Sequence, residues 1–489
     1  MKNRYILPIL VGILGIIIII LGILAFFMTD KITENNSEVT QIGTTLGESV
    51  INVGEKDEEE EVPDQAVEPE VDEYALKLEE IDTLIEIEAY PAALNEIEQL
   101  ILDSGETAEL IKLRDDVVLM YKDNVTAQLD GLIYGYDYAG GQELLEPLMK
   151  YCEDDERLTK LYDMCVSFQN TYLFEGTVEH IFFHPLIAYP ELAFDGDYSE
   201  AGLDSYMATV PEFKAILAQL YERGYILIDP HLMYTVNEDG TVAKNDLYLP
   251  EGKKPVILSM DDYNFMQYMR ENGMVHGLAL DENGNVVTFT DDKDGNRTYS
   301  DDNEIVPITD KFVYENPDFS YGGFKGAIGL NGYEGTLGYP TDQLDSPTYE
   351  ADFAAAKAVA DRLKETGWIF ACHSYGHNHY AKKSLAFMKN DVDKWIDEVG
   401  SIVGETDLYF YPYGEIIDQD DAKFLYMKER GYKFFFGASQ VPYLKYYDDN
   451  ILQTRRNIDG IGLRGWRLAE MLDTAAIIDS VRPEKYNKQ

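Results

Sequence analysis

The chain has 489 residues, 45% of them hydrophobic, which is enough for two or three domains with sizeable cores. Its 90 acidic residues outnumber the 40 basic ones, and the formal net charge of −50 would repel phosphate backbones and anionic lipid surfaces. We therefore expect no nucleic acid partner. The 3 cysteines are too few for a disulfide framework, so we expect free thiols.

An uncharged apolar run from Tyr5 to Met28 is the first feature of the chain. About 20 such residues cross a hydrocarbon core as a helix, so residues 1–28 are predicted to be an uncleaved transmembrane anchor. Lys2 and Arg4 precede the run and an acidic flank follows it, which places the N-terminus in the cytoplasm. The sequence predicts a single-pass protein of the cell membrane whose C-terminal bulk is extracytoplasmic.

Residues 29–72 are polar and then acidic, with two prolines and no aromatic residue. This composition cannot bury enough apolar surface to offset its ordering entropy. We predict an acidic, disordered linker.

Residues 73–172 show helical periodicity, with apolar residues three and four positions apart, as at Leu94 and Ile97. The segment also repeats itself, because IDTLI at 81–85 corresponds to LDGLI at 129–133. We predict an all-α module of repeated helical hairpins, which serves as a spacer or binds a protein partner.

Predicted strands and helices alternate across residues 176–489. Segments such as KPVILSM at 254–260 are typical of buried strands, and the amphipathic segment 349–367 ends in glycine as helices do. Turn signals near 270–320 predict an inserted β-hairpin. The alternation indicates an α/β fold, a distorted (β/α) barrel of about seven strands.

Three of these predicted strands end in residues that can do chemistry, at the edge where barrels carry their catalytic groups. Two histidines four residues apart and one carboxylate would hold a metal with one position left open, and an adjacent carboxylate can accept a proton. The residues at the three strand ends are Asp261 and Asp262, then His373 and His377, then Tyr411, Pro412, Tyr413 and Gly414.

These motifs resemble those of the polysaccharide deacetylases, carbohydrate esterases of the nodulation-protein-B homology type. LSMDDYN resembles the family's aspartate pair, HSYGH its HSxxH metal motif and FYPYG its YPYG loop. IFFHPL and the following FKAILAQLYERGY are similar to the opening strand and helix of the family's membrane-associated branches. The resemblance covers roughly residues 176–470.

The resemblance implies a role for each matching residue and a divalent metal cofactor. Zinc is the default ion, and cobalt, nickel or iron also suit nitrogen and oxygen ligands. The implied roles are Asp261 as general base, the Tyr413 backbone N–H as oxyanion donor, and Asp262, His373 and His377 as metal ligands. Tyr411 and Pro412 of the YPYG loop are expected to contact substrate.

The chain also departs from the family pattern. Tyr263 stands where the family usually has glycine, and this bulky phenol is expected to narrow the site or to contact the sugar substrate. Phe410 stands near the place of an arginine that orients the base. No histidine follows His379, although the family commonly brings a late histidine as general acid. His379 and His184 are the candidate substitutes.

Further residues have two interpretations each. Arg456, or its neighbour Arg455, would orient a carboxylate of the site or form a surface ion pair. Cys372 precedes His373 as a nucleophile would, but in the family match it occupies a small-residue position that faces the core, so it is expected to be buried and inert. The remaining histidines, expected to be structural or exposed, are His180, His231 and His276.

The sequence thus predicts a membrane-anchored hydrolase of non-peptide carbon–nitrogen bonds, which removes acetyl groups from an N-acetylated polysaccharide such as peptidoglycan or an exopolysaccharide. One alternative is an inactive deacetylase-like protein that binds glycans or acts as a scaffold. Another is a metal-dependent amidase that acts on cell-wall peptides.

Overall fold

The computed structural model describes residues 72–486. The predicted anchor and the predicted linker up to residue 71 lie outside the described residues. Within the described range, no helix is both long and apolar enough to cross a membrane. The longest, Ala108–Tyr134, has 27 residues but carries charged side chains along its length. The predicted single-pass membrane location is therefore corrected, because the described helices provide no span to support it.

Helices that pack against their neighbours in sequence form the first part of the described chain. Side chains that accept backbone N–H groups cap four of them, namely Asp72, Thr107, Asp137 and Asp155. The helices are α1 Glu73–Glu86, α2 Tyr90–Ser104, α3 Ala108–Tyr134, α4 Tyr138–Met149 and α5 Glu156–Ser167.

The strands follow from residue 171 onward. In chain order they are β1 Thr171–Leu173, β2 Glu179–Phe183, β3 Tyr225–Leu227, β4 Tyr234–Val236, β5 Val242–Lys244, β6 Tyr248–Pro250, β7 Lys254–Met260, β8 Gly277–Leu280, β9 Val286–Asp291, β10 Arg297–Ser300, β11 Gly326–Leu330, β12 Trp368–Cys372, β13 Leu408–Phe410, β14 Phe434–Ala438, β15 Leu444–Tyr446 and β16 Ile451–Asn457.

Seven parallel strands close into a barrel in the order β11, β12, β13, β14, β16, β2, β7 and back to β11. The closing pair aligns Ala327 with Ser259 and Ile328 with Met260. These strands are buried on both faces, as parallel strands covered by helices are, and β7 is buried from Pro255 to Met260. The prediction of a parallel barrel of about seven strands is confirmed.

Further helices surround the barrel and connect its strands. They are α6 Pro190–Ala193, α7 Glu200–Tyr206, α8 Val210–Glu222, α9 Gln267–Glu271, α10 Ile305–Glu315, α11 Tyr349–Glu365, α12 Leu385–Glu398, α13 Gly400–Val403, α14 Ala422–Glu429, α15 Gly460–Arg464 and α16 Thr474–Ile477.

A three-stranded antiparallel sheet, β8–β9–β10, interrupts the alternation between β7 and β11. It occupies the segment for which the sequence predicts an inserted hairpin, with one strand more than a hairpin has.

The first helices pack against the barrel at the end where its strands begin. Tyr321, in the loop before β11, stacks on Tyr138 at a ring distance of 5.9 Å and meets the edge of Phe168. The Tyr138 hydroxyl also accepts the Gly322 N–H at 2.9 Å. One apolar cluster joins α1–α5 to residues inside the barrel. Within the described residues, the apolar side of α1–α5 thus packs on the barrel. Nothing in this part of the chain supports the predicted protein partner of the helical module.

Candidate metal-binding active site

The predicted site residues gather at the carboxyl ends of barrel strands. Asp261 and Asp262 follow β7 directly, and His373 follows β12. Several non-glycine residues here have left-handed backbones, a conformation that clusters at functional sites; among them, Asp262 has φ of 54°, Ser374 56° and His377 48°. The surrounding contacts must hold these conformations in place.

Three side chains form a candidate metal site. One ligand atom each from Asp262, His373 and His377 can be chosen so that all lie within 4.8 Å of one another. The Asp262 carboxylate oxygens lie 3.8 Å from His373 Nε2 and 3.6 Å from His377 Nε2. Ligands about 2.0–2.2 Å from a tetrahedral metal are about 3.4 Å apart, so the spacing suits a shared ion.

The surroundings of the two histidines also suit metal binding. His373 Nδ1 lies 2.9 Å from the Phe410 carbonyl oxygen, which can only accept, so in the neutral ring Nδ1 carries the proton and Nε2 is left for a metal. Burial lowers the pKa of His377, which favours the neutral imidazole that metals bind. The donor set therefore fits a divalent metal such as zinc, without deciding which one.

Asp261 is held by a buried arginine. Arg455 Nη1 and Nη2 donate to the two carboxylate oxygens at 2.6 Å and 2.8 Å. Burial raises the pKa of Asp261, but the Arg455 guanidinium outweighs burial and holds that pKa well below its usual range. Asp261 is therefore an ionised carboxylate, 3.9 Å from His373 Nε2.

The arginine that contacts a carboxylate of the site is Arg455, one residue before Arg456. Side chains alternate along β16, so Arg455 points into the barrel and Arg456 to its outside. Arg456 forms ion pairs with Glu179 and Glu470 instead. The Arg455 guanidinium also lies 4.1 Å from the ring centre of Phe410, so the residue near the family's arginine position supports an arginine from another strand.

The three predicted substrate contacts are not at the surface of the site. Tyr263, Tyr411 and Pro412 are buried. The Tyr263 hydroxyl accepts the Val306 N–H at 3.3 Å, and its ring packs on Phe265. Tyr263 thus points into the core, where it neither narrows the site nor reaches a sugar.

Tyr413 offers the exposed surface instead. Its side chain is 58% exposed, and its ring centre lies 4.5 Å from that of His377. Its backbone φ of 58° is left-handed. His379 stacks flat on the Tyr413 ring at 3.7 Å, and its Nδ1 lies 3.2 Å from a Glu415 oxygen.

His184 lies at the same edge of the barrel. It follows β2, and the carbonyl of the preceding Phe183 accepts the Asp261 N–H at 2.8 Å. His184 Nδ1 lies 3.0 Å from the Tyr206 carbonyl oxygen. Because a carbonyl only accepts, Nδ1 carries the proton in the neutral ring and Nε2 is left for another partner.

The remaining predictions concern residues outside the chemistry. His180 is buried inside the barrel, where its Nε2 lies 2.8 Å from Ser259 Oγ. His231 lies between Asp229 and Asp407; burial lowers its pKa, but the two carboxylates outweigh burial and raise it to about 10. His276 Nδ1 accepts the Asp291 N–H on the inserted sheet. Burial also raises the pKa of the Cys372 thiol, as expected for an inert residue.

The sequence reasoning missed Asn331, which follows β11 at the same barrel edge. Its Nδ2 donates to Asp262 Oδ1 at 2.8 Å and so fixes the orientation of this carboxylate. The signal was present, because Asn331 stands at a strand end as the other site residues do.

Residues 342–435 match the polysaccharide deacetylase family. The matched segment contains His373, His377 and Tyr413, whereas Asp261 precedes it and Arg455 follows it. The match supports a deacetylase domain, whose class of activity is the hydrolysis of carbon–nitrogen bonds.

One solved structure, the Streptococcus pyogenes deacetylase PplD in complex with acetate, is similar to the chain at 14% identity. The similarity covers 61% of this chain and 99% of that chain, with a TM-score of 0.34. No curated relative matches the sequence.

Proposed function

We propose that the chain is a metal-dependent deacetylase of an N-acetylated polysaccharide. The observation that carries the proposal is the ion pair between buried Arg455 and Asp261, directly beside the Asp262, His373 and His377 cluster. A buried carboxylate kept ionised next to two imidazoles and a second carboxylate combines a proton acceptor with a metal site. The polysaccharide deacetylase match supports the substrate class.

The residues divide the reaction between them. Asp262, His373 and His377 would hold a divalent ion, and such an ion would supply Lewis-acid polarisation of the acetamide carbonyl and a lower pKa for water. Asp261 accepts the proton of the attacking water, and the Tyr413 backbone N–H donates to the oxyanion that forms.

His184 is the proposed proton donor for the departing amine. It stands one residue beyond the carbonyl that accepts the Asp261 N–H, so it lies at the same edge of the barrel as the base. When the carbon–nitrogen bond breaks, the sugar amine takes a proton and acetate leaves. His379 is less suited, because it stacks on Tyr413 and its Nδ1 faces Glu415.

Acetate release by the full chain tests the proposal. The protein is loaded with Zn²⁺ or Co²⁺ and incubated with N-acetylglucosamine oligomers or peptidoglycan. We expect release by the parent protein, none by Asp261→Asn or His373→Ala, and parent-like release by His276→Ala, whose histidine lies on the inserted sheet. A protein that binds stoichiometric metal but releases no acetate from any glycan would contradict the proposal and favour a glycan-binding role.

A further inference from the structure

One face of α12 contacts both the loop that carries His373 and His377 and the end of strand β11. Asp391, Trp395 and Glu398 occur at positions i, i+4 and i+7 of this helix, a spacing that places them on one side. The helix itself contributes no ligand to the cluster of Asp262, His373 and His377.

Asp391 accepts four hydrogen bonds from the segment that carries the two histidines. The Tyr375 N–H and the Tyr380 hydroxyl donate to Oδ2 at 2.8 Å and 2.6 Å. The Gly376 N–H and Asn378 Nδ2 donate to Oδ1, both at 3.0 Å. The carboxylate is buried, so these donors replace water as its partners.

The loop segment that donates to Asp391 lies between two residues with unfavourable backbone conformations. Ser374 and His377, on either side of the two donating N–H groups, have the left-handed backbones described above. The approach to Asp391 is also close, because a Cβ added at Gly376 would lie 3.1 Å from Asp391 Oδ1. Tyr375 is held a second time, since its hydroxyl donates to Glu398 at 2.6 Å.

The same helix face contacts the strand that supports the third ligand. Trp395 Nε1 donates to the Leu330 carbonyl at 2.7 Å. The next residue, Asn331, donates to Asp262 Oδ1. Through Asp391 on one side and Trp395 on the other, α12 is thus connected to all three candidate ligands.

We infer that Asp391 is a positioning residue for metal binding, and that the α12 face of Asp391, Trp395 and Glu398 sets the spacing of the ligands. The inference rests on the proposed function, because it assumes that the three ligands hold a metal. Residues that orient metal ligands typically contribute about 10–100-fold to metal affinity.

Co²⁺ binding by the full chain tests the inference without reference to catalysis. Asp391→Asn replaces one acceptor oxygen by an amide that repels the N–H donors, so we expect the Co²⁺ dissociation constant to rise about 10–100-fold. We also expect a changed visible spectrum of bound Co²⁺ and, at saturating metal, a lower kcat with little change in KM.

Asp393→Asn is the matched control on the same helix. Asp393 accepts the Tyr426 hydroxyl at 2.6 Å and pairs with Arg430 at 3.0 Å, both away from the histidine loop. We expect this variant to bind Co²⁺ with the dissociation constant and spectrum of the parent. An Asp391→Asn protein with parent-like affinity and spectrum would overturn the inference.

Two milder variants cover the case in which Asp391→Asn does not fold. Tyr375→Phe removes the hydroxyl bond to Glu398, and Trp395→Phe removes the indole N–H bond to Leu330 together with part of a buried ring. Each should weaken Co²⁺ binding several-fold, and parent-like binding by both would overturn the inference. A parent protein that binds Co²⁺ but deacetylates nothing would contradict the proposed function alone, whereas one that binds no metal would contradict both.

Discussion

Arg455 and Asp261 form a two-point ion pair inside the barrel mouth, with nitrogen–oxygen distances of 2.6 Å and 2.8 Å. Arg455 is fully buried, and its guanidinium lies against the rings of Phe182 and Phe410. A rigid fork that is packed on both sides fixes the direction of the carboxylate as well as its charge. The proposed base is therefore oriented before any substrate arrives.

Arg455→Lys should lower kcat/KM about 10–100-fold, because the two-point contact becomes a single one and charged hydrogen bonds are worth about 1.5–3 kcal/mol. Burial alone raises the pKa of Asp261, and Arg455 is the main opposing influence. The weaker pair should therefore move the acidic limb of the kcat/KM profile to higher pH, since the base must be ionised.

Arg456→Lys is the control for this pH profile, because it makes the same change one residue along, in a side chain that pairs with Glu179 and Glu470. We expect its acidic limb to coincide with that of the parent. An unchanged limb in Arg455→Lys would contradict the assignment of Asp261 as the base.

His184→Gln should reduce kcat for acetamide substrates about 10²–10⁴-fold, the usual contribution of a positioned proton donor. Metal affinity should not change, because His184 is not among the candidate ligands. An aryl acetate with a good leaving group needs no proton on departure, so its hydrolysis should fall far less. If His379→Gln shows this pattern and His184→Gln does not, the role belongs to His379.

Tyr413→Asn should raise KM for a glycan oligomer about 3- to 10-fold, which corresponds to the loss of about 0.5–1.5 kcal/mol of aromatic contact. Asparagine tolerates the left-handed backbone of this position and keeps the N–H, so kcat should change little. Tyr263→Phe should leave KM unchanged, because that ring is buried. An increase of KM in Tyr263→Phe alone would restore Tyr263 as a substrate contact.

The sequence was sufficient to predict the barrel and the edge at which its reactive residues lie. Strand ends can be located from apolar runs such as 254–260, and parallel strands in a barrel bring their carboxyl ends together. Asp262, His373 and His377 could therefore be grouped without coordinates. The same rule applies to Asn331, which also directly follows a barrel strand.

The orientation of neighbouring side chains could not be obtained in this way. Arg455 and Arg456 differ by one position on β16, and an error of one residue in register exchanges the inside and outside of a barrel. Tyr263 follows the candidate ligand Asp262 but turns into the core, since the left-handed backbone at Asp262 redirects the chain. Such reversals depend on local backbone angles that a spacing pattern does not contain.

Contacts between residues far apart in the chain could not be predicted from the sequence either. Asp391 lies 14 residues after His377 on another element, so no local motif connects the two. The apolar periodicity of α1–α5 shows which face is buried but not what covers it. Apolar residues of the barrel contribute to that cover, and Tyr321 in the loop before β11 stacks on Tyr138.

Glu304 should make the stability of the fold depend on pH. It is a fully buried acid that accepts the N–H groups of Ile305 and Leu186 at 2.7 Å and 3.0 Å, and burial raises its pKa to about 8 in spite of these donors. An unfolded glutamate titrates near about 4.3, so unfolding releases a proton between these two pH values. The contribution of Glu304 is therefore full below the unfolded pKa and is lost as pH rises to about 8, by at most about 1.4 kcal/mol per pH unit.

Urea unfolding of the parent and of Glu304→Gln from pH 5 to pH 8.5 measures this contribution, because glutamine has no proton to lose. The free energy of unfolding of the variant should lie below that of the parent near pH 5, and the gap should shrink as pH rises. Glu315→Gln, an exposed position at the end of the same helix, should keep the slope of the parent. A gap between parent and Glu304→Gln that stays constant across this range would show that Glu304 is already ionised at pH 5.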